Sequence, residues 1–388
     1  MLPQSAETVF GALARLVPSG GTVLLIGNYG SRNLGDETIL WMILHYINNV
    51  HRRRATFVVP SREPAEVGRF LGQEREALRP CDVTNLRDVL THLRRSDLVL
   101  IGGGGIFSAY AGPLARTVPL FAILARMLRK RVAYFGLGFY DTTPRWLRTL
   151  VNLSFLTADL VVLRDRHSLF LLWEPVRRRP CTLLGRDLAL YLDEMPGLEA
   201  DFLPPTDPAL AAVATRLHTW REEGHPVVAV SLKPTRDRCT NERLLAESAA
   251  ALREWEKQGA RVALFPFAMT PVWYEDDATF LRALAERAHL APDSYVLVPH
   301  SHPFGWIKLL RQGADLIVAM RFHGQVFAHL AHIPFYAIMY ERKNEEFLAA
   351  LGHGDCCHAE DIRAEMLQAW GAPMFSPTYL AKHKTTVM

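Results

Sequence analysis

The chain has 388 residues, which at roughly 150 residues per domain favours two domains. Hydrophobic residues make up 49% of the chain and charged residues 22%, so a largely disordered protein is excluded. The formal net charge of +4 gives no argument for a nucleic-acid partner, although it fits a site that holds an anion.

In chain order, the first half alternates short apolar strands with longer helical stretches. Because these strands lack polar alternation, we expect them to be buried on both faces, with the helices as crossovers between parallel strands. The predicted strands are Val23–Ile26, Thr56–Val59, Leu98–Ile101, Arg131–Phe135 and Leu160–Leu163. The predicted helices run from about Asp36 to Asn48 and from about Leu114 to Leu128.

The alternation stops at Asp193–Pro208, a stretch rich in proline and acidic residues that is typical of a linker. It then restarts, with strands at Val227–Leu232, Arg261–Pro266, Tyr295–Val298, Leu316–Ala319 and Phe335–Ile338. The helices between them are Glu242–Gln258, Ala278–Ala288, Phe304–Arg311 and Gly324–Ala331. The sequence therefore predicts an α/β protein with two doubly wound, Rossmann-like domains, residues 1–195 and 205–345, and a C-terminal extension, residues 346–388.

The loop Gly27–Glu37 follows the first strand and opens a helix. Its glycines permit close backbone approach, and the free N–H groups of a helix start favour an anion. Asn33, Gly35 and Asp36 are the candidate binding residues; the alternative is a tight turn with Asp36 as the helix N-cap. The loop does not match G-x-G-x-x-G, which disfavours a dinucleotide site.

Four glycines, Gly102–Gly105, follow the strand that ends at Ile101. Such a run predicts a backbone nest that cradles an anion or admits a substrate, with Gly103 and Gly104 at its centre. The alternative is a turn that lets a helix pack closely on a strand.

Two cations also follow predicted strands. Arg164 can hold a carboxylate or phosphate with two parallel hydrogen bonds, while Asp165 is a candidate N-cap for the next helix. Lys233, in Ser231–Pro234, is a candidate anion ligand, and the alternative is an exposed lysine.

The most specific motif is Met320–Gln325, which is followed by Tyr340–Lys343. Arg321 and His323 are expected to alternate on an extended segment and point to one side, with a helix starting at Gly324. An arginine, a histidine and a helix start at one strand end favour a functional site. His300 and His302 are interpreted as surface or packing residues.

Together these motifs resemble the polysaccharide pyruvyl transferase family, over about Gly27 to Lys343. The resemblance rests on the order and spacing of the motifs above, with Ser168 and Asp187-Leu188-Ala189 in addition. It implies a fold similar to GT-B, with the active site in a cleft between the two domains. It also implies transfer of a pyruvyl group from phosphoenolpyruvate onto two sugar hydroxyls, giving a cyclic ketal and phosphate.

The same resemblance implies roles for individual residues. His323 is the general acid that protonates the enol carbon, a step that suits a group titrating near neutrality. Arg321, Arg164 and Lys343 bind the anionic groups of the donor. Lys233 stands where relatives often have arginine, and lysine lacks the bidentate fork.

On the acceptor side, the resemblance implies the loop with Asn33, Gly35 and Asp36, together with Gly103 and Gly104. Asp36 is the candidate base for the sugar hydroxyl. The scheme requires no metal and no cofactor beyond the donor substrate.

A GT-B glycosyltransferase using a nucleotide sugar is the rival function, because a helix start would serve a diphosphate equally well. Against it, we see no acidic pair in the second half that would hold a ribose. A degenerate family member acting as a binding or scaffolding subunit is a second rival, which the intact Arg164, Arg321, His323 and Lys343 disfavour.

The five cysteines, an odd and scattered set, do not form a disulfide framework and favour a reducing compartment. Cys356 and Cys357 lie between His353 and His358, but their spacing does not match a usual zinc pattern. Met1–Phe10 lacks the features of a signal peptide, so a cytoplasmic location is predicted. Peripheral association with the inner membrane face, through a lipid-linked glycan acceptor, and assembly into a homo-oligomer are left open.

Overall fold

The computed structural model describes residues 2–107, 112–139, 143–195, 207–270 and 272–376. The chain divides into two compact units, Met1–Ala200 and Asp201–Met388. In each unit the described residues form one parallel sheet with helices between the strands. Residues 196–206, which make up most of the predicted linker, lie outside the described residues.

The first unit contains a seven-stranded sheet over its described residues. The strands are β1 (Thr22–Ile26), β2 (Thr56–Ser61), β3 (Leu78–Asp82), β4 (Leu98–Phe107), β5 (Arg131–Phe139), β6 (Leu160–Leu163) and β7 (Thr182–Leu184). The helices are α1 (Ala6–Leu16), α2 (Leu34–His45), α3 (Leu86–Arg95), α4 (Gly112–Met127), α5 (Arg145–Thr157), α6 (Arg166–Phe170) and α7 (Glu174–Arg177), with 3-10 turns at Gly72–Ala77 and Leu188–Glu194. The strand order is β3-β2-β1-β4-β5-β6-β7.

The second unit contains a six-stranded sheet over its described residues. The strands are β8 (Val227–Ser231), β9 (Arg261–Leu264), β10 (Tyr295–Leu297), β11 (Leu316–Ala319), β12 (Phe335–Met339) and β13 (Cys356–His358). The helices are α8 (Pro208–Glu222), α9 (Arg238–Lys257), α10 (Asp277–Ala288), α11 (Pro303–Gly313), α12 (Phe322–Ala331), α13 (Arg342–Leu351) and α14 (Ala364–Gly371), with 3-10 turns at Trp273–Glu275 and Ala372–Phe375. The strand order is β10-β9-β8-β11-β12-β13.

Both sheets are doubly wound, and every neighbouring pair of named strands is parallel. The order reverses between β1 and β4 in the first sheet and between β8 and β11 in the second. Ligands of open α/β sheets bind beyond the carboxyl ends of the strands at such a switch point. The predicted fold class of two Rossmann-like α/β halves is therefore confirmed.

The cores lie between each sheet and its helices. The middle of β1 is fully buried, as is the whole of β8. Helix α9 covers the second sheet with a stripe that includes Leu244, Leu252 and Trp255. The uninterrupted apolar runs that predicted the central strands are thus explained by burial on both faces.

The glycine run in β4 corrects one prediction. Gly102–Gly105 do not form a loop after the strand, because β4 continues to Phe107 and pairs with β5 through Gly102 and Gly104. Gly103 and Gly104 have φ of +70° and +78°, next to a shift in strand register. A Cβ atom on Gly103 would lie 2.3 Å from Cγ2 of Ile39, so the close helix–strand packing named as the alternative is what the structure shows.

The start of α2 corrects a second prediction. Asn33 is the N-cap, and its side chain accepts a hydrogen bond from the Gly35 N–H at 3.1 Å. Asp36 therefore lies in the first turn of the helix and does not cap it. In α6 the predicted cap is confirmed, since Asp165 accepts from the Ser168 N–H at 2.6 Å.

His300 and His302 are buried, so the packing interpretation is confirmed and the surface interpretation is wrong. The Nε2 atom of His300 lies 2.6 Å from the carbonyl oxygen of Pro266. The ring of His302 accepts from the Phe304 N–H at the start of α11.

Candidate active site

Four predicted site residues meet at the carboxyl edge of the second sheet. Lys233 follows β8, Arg321 and His323 follow β11, and Lys343 follows β12 in the first turn of α13. Strands β8 and β11 flank the switch point and β12 lies next to β11, so the sheet brings together residues as far apart in the chain as Lys233 and Lys343.

Arg321 is the centre of a buried ionic network. Its Nε atom lies 2.9 Å from Oδ2 of Asp277 and its Nη2 atom lies 2.6 Å from Oδ1, which makes a bidentate pair. Its Nη1 atom lies 2.8 Å from Oε2 of Glu275. All three guanidinium nitrogens therefore face carboxylates of the chain itself.

The charges of this network support one another. Burial disfavours a charged Arg321, yet Asp277 and Glu275 raise its pKa well above the ordinary value, so the guanidinium stays charged. Burial likewise opposes ionisation of Glu275, but Arg321 and Lys233 outweigh it and lower the pKa of Glu275 to about 2. Burial raises the pKa of Asp277 above its ordinary value, and the Arg321 guanidinium opposes that effect, so the charge of this buried carboxylate depends on its arginine partner.

Lys233 is only 7% exposed, so the alternative of an exposed lysine is wrong. Its Nζ atom lies 3.2 Å from Oε1 of Glu275 and 4.8 Å from the centre of the Tyr340 ring. Burial and the nearby Arg321 cation lower the pKa of Lys233 to about 8. Lys233 is thus a poorly solvated cation, which a further anion would stabilise.

The segment Arg321–Gln325 is not extended, which corrects the predicted alternation. Helix α12 already begins at Phe322, with Arg321 as its N-cap, so His323 lies in the first helical turn. His323 is half-buried and packs edge-on against the Phe322 ring, 5.3 Å between ring centres. The histidine therefore sits at the positive end of the helix dipole.

Ser231, the last residue of β8, faces the same helical turn. A Cβ atom on Gly324 would lie 3.2 Å from Oγ of Ser231, so the glycine allows the strand end and the helix start to approach closely. Ser231 is fully buried, and its Oγ has no hydrogen-bond partner among the described residues. A buried hydroxyl without a partner is a rare feature, and this one lies beside a helix N-terminus, where backbone N–H groups favour anions.

Two buried amides hold this helix start in place. Gln325 donates from Nε2 to the carbonyl oxygen of Ala319 at the end of β11, 3.1 Å away. Asn344 donates from Nδ2 to Oε1 of Gln325, also at 3.1 Å. Both amide side chains belong to residues with no exposed surface, so the start of α13 is tied to the start of α12.

Lys343 joins the cluster through aromatic rings. Its Nζ atom lies 5.5 Å from the centre of the Tyr340 ring and 5.8 Å from that of Phe322. It also pairs with Oε2 of Glu341 at 2.7 Å. Because Tyr340 contacts Lys233 as well, the two lysines share one aromatic platform.

In the first unit, the predicted acceptor residues meet at the switch point between β1 and β4. Asn28 donates from Nδ2 to Oδ2 of Asp36 at 2.9 Å. A Cβ atom on Gly104 would lie 3.3 Å from Oδ1 of Asp36. The switch point thus brings together the predicted acceptor residues, which are Asn33, Gly35, Asp36, Gly103 and Gly104.

Beneath this loop lies Glu37, the last residue of the Gly27–Glu37 motif, for which the sequence indicated no role of its own. Its carboxylate accepts from the Gly30 N–H at 2.7 Å and from the Gly68 N–H at 3.1 Å. Burial raises the pKa of Glu37 to about 7, against the two backbone hydrogen bonds. This side chain joins the loop after β1 to the segment after β2.

Arg164 lies at the end of β6, further along the first sheet. It is buried, with Nη1 at 3.4 Å from Asp187 and Nε at 3.5 Å from Asp165. A Cβ atom on Gly138 would lie 2.5 Å from Nε of Arg164, so the end of β5 packs directly on the guanidinium. Donor binding by Arg164 stays a prediction.

Glu275 and Asp277 are two residues of this cluster that the sequence did not single out. Both residues contact Arg321, and Asp277 lies 44 positions before it in the chain. No local pattern distinguishes them from ordinary acidic residues at a helix start. Asp276, beside them, does cap α10.

Among the described residues, one group of three metal-ligand side chains has its ligand atoms within 4.8 Å of one another: Cys81, Asp88 and His92. It lies on β3 and α3 and includes none of the predicted site residues. The expectation of a metal-free reaction stays a prediction.

Solved structures with this fold cover nearly the whole chain. Staphylococcus aureus MnaA with UDP aligns with a TM-score of 0.58 at 10% identity, over 94% of this chain and 90% of that one. The UDP-GlcNAc 2-epimerase of Neisseria meningitidis, bound to UDP-GlcNAc, gives 0.55 at 10% identity over 94% and 93%. The sucrose-phosphate synthase of Thermosynechococcus elongatus gives 0.53 at 11% identity over 94% and 93%. Together they place this chain in the GT-B fold class.

The sequence narrows the class to a family. A family model described as polysaccharide pyruvyl transferase matches residues 33–342, which is most of the chain. The chain therefore belongs to the polysaccharide pyruvyl transferase family, as the motifs predicted. No curated protein matches it in sequence. Within the described residues, no helix has both the length and the apolar character needed to span a membrane.

Proposed function

We propose that this protein transfers the pyruvyl group of phosphoenolpyruvate onto two hydroxyls of a sugar in a polysaccharide or its precursor. Family membership supports transfer to a glycan. The observation that carries the choice of donor is the cation-rich start of α12, where Arg321 is the N-cap, Ser231 lies beside the first helical turn and Lys233 lies near Arg321.

The donor has a carboxylate and a phosphate close together, and each needs charged or N–H donors. The cluster offers the Lys233 and Lys343 ammonium groups and the N–H groups of the helix start, and Arg321 adds its positive charge beside them. Ser231 adds an unpaired hydroxyl donor. These groups also stabilise the phosphate as it leaves with its charge.

In the proposed reaction, His323 donates a proton to carbon 3 of the enol, which turns the CH2 group into a methyl group and leaves an oxocarbenium-like centre at carbon 2. One sugar hydroxyl adds to carbon 2 and loses its proton to a base, for which Asp36 is the candidate. The bond between carbon 2 and the phosphate oxygen then breaks, and phosphate leaves. The second hydroxyl closes the ketal on carbon 2 and loses its own proton.

The remaining predicted residues keep the roles assigned from the motifs. Asn33, Gly35, Gly103 and Gly104 are proposed to shape the acceptor site, and Arg164 to bind an anion. All five cysteines are free thiols, which supports a reaction in a reducing, cytoplasmic compartment.

The test is phosphate release from phosphoenolpyruvate against a panel of β-galactosyl, mannosaminyl and glucosyl acceptors. We expect acceptor-dependent release by the native protein and its loss in H323A. The matched control is H218A, since His218 lies on the exposed face of α8 and should leave the rate unchanged.

Absence of release with every acceptor, together with tight calorimetric binding of a nucleotide sugar, would replace this proposal by the glycosyltransferase alternative. Release that persists in H323A would leave the reaction in place but remove histidine from the acid role.

A further inference from the structure

Glu275 has an unusual position in the cation cluster. Its two oxygens are divided between two cations, Oε2 on Nη1 of Arg321 at 2.8 Å and Oε1 on Nζ of Lys233 at 3.2 Å. Its side chain is nevertheless 32% exposed, whereas those of its partners are both 9% exposed. Glu275 thus covers the outer side of two cations that are otherwise buried.

Asp277 differs from Glu275 although it contacts the same arginine. Its side chain has no exposed surface, it takes Nε and Nη2 of Arg321, and it accepts a further hydrogen bond from the Ala268 N–H at 3.0 Å. Asp277 is therefore the fixed support of the guanidinium. Glu275 is a second partner on the solvent side.

The charges explain what this second partner does. Glu275 and Asp277 place two carboxyl groups against Arg321 and Lys233, so the acidic residues offset the positive charge of the two cations. The attraction of these cations for a donor with several negative charges is weakened accordingly. If the Glu275 side chain swings to solvent, Nη1 of Arg321 and Nζ of Lys233 present a net positive charge to a ligand.

We propose that the Glu275 carboxylate occupies the place of the donor's anionic group on Arg321 and Lys233, and that the donor displaces it on binding. This inference rests on the proposed function, because it takes phosphoenolpyruvate as the incoming anion. Displacement makes Glu275 a specificity-determining residue, because a ligand must carry enough negative charge to replace a bound carboxylate. Neutral and singly charged compounds do not carry enough charge to do so.

The local structure allows this movement. Glu275 ends the short 3-10 turn Trp273–Glu275, and the cap of the following helix α10 is supplied by Asp276. The Glu275 side chain can therefore leave its partners without loss of the helix cap or of the Asp277 support.

The experiment measures binding of phosphoenolpyruvate and of inorganic phosphate by isothermal titration calorimetry, without acceptor. Relative to the native protein, E275Q should bind phosphoenolpyruvate about tenfold more tightly, since a competing carboxylate is removed. E275A should also bind more tightly. The matched control is E286Q, an exposed glutamate on α10, which should leave the affinity unchanged.

Weaker binding by both Glu275 variants would overturn the inference, because Glu275 would then support the cations for the ligand. Unchanged binding would overturn it too. Thermal unfolding of each variant checks that the fold is retained. Tighter anion binding by E275Q without acceptor-dependent phosphate release by the native protein would retain this inference and reject pyruvyl transfer. Acceptor-dependent phosphate release by the native protein, with no gain in anion affinity in E275Q, would retain pyruvyl transfer and reject this inference.

Discussion

The buried pair of Asp277 and Arg321 gives the sharpest prediction about stability. In D277N the side chain keeps its shape but loses its charge and one acceptor, so the amide group faces the guanidinium. Removal of one partner from a buried ion pair costs about 3–5 kcal/mol. Glu275 still contacts Nη1 of Arg321 at 2.8 Å, so we expect a loss of about 3 kcal/mol, at the lower end of that range.

For a unit of this size, each kcal/mol shifts the unfolding midpoint by about 2–4 °C, so D277N should lower it by about 6–12 °C. Differential scanning calorimetry measures the shift, and urea unfolding measures the free energy of unfolding. The control is D293N, at an exposed aspartate in the same unit, which should change the free energy by less than about 0.5 kcal/mol. A D277N protein as stable as D293N would refute the reasoning that Asp277 is the fixed support of Arg321.

Three further predictions concern pH and backbone geometry. Because the pKa of Lys233 is about 8, affinity for phosphoenolpyruvate in calorimetric titrations should fall as pH rises through about 8. In K233R this fall should be absent, since arginine stays charged. The pKa of Glu37 rises from 4.5 to about 7 on folding, so the folded first unit binds the proton more tightly than the unfolded chain. Its stability should therefore fall by about 3 kcal/mol between pH 4.5 and pH 7, and urea unfolding of E37Q should show no such fall. A left-handed alanine lowers the free energy of unfolding by ~1–2 kcal/mol, and G72A, with open space around it, should lose only that amount in urea unfolding. G103A should lose more, because its Cβ atom would lie 2.3 Å from Ile39. Equal losses in G103A and G72A would contradict the packing argument.

The central strands of both sheets could be predicted because they are continuous apolar runs. The outer strand β3 could not, since Arg79, Pro80 and Asp82 are exposed there and break the apolar pattern. Strand β13, which consists of Cys356, Cys357 and His358, is likewise too short to be recognised as a strand from the sequence. An edge strand has fewer neighbours to cover it, so its composition carries a weaker signal.

The candidate site could be selected in part from the sequence. Arg321, His323, Lys233 and Lys343 each follow a predicted strand, and ligands of open α/β sheets bind at the carboxyl ends of parallel strands. The roles of these residues in the reaction stay a prediction. The family resemblance gave the same residues their expected roles.

The sequence by itself determined the two α/β halves and the family, and it selected the cations of the candidate site, because strand periodicity, motifs and strand-end positions can be read along the chain. Only the tertiary structure decided what those cations contact. Glu275 and Asp277 reach Arg321 through the packing of β9, α10 and β11, and a contact between distant residues leaves no pattern in the chain. The ionic state of the site is therefore a property of the folded sheet edge, since burial and neighbouring charges set the pKa of each group.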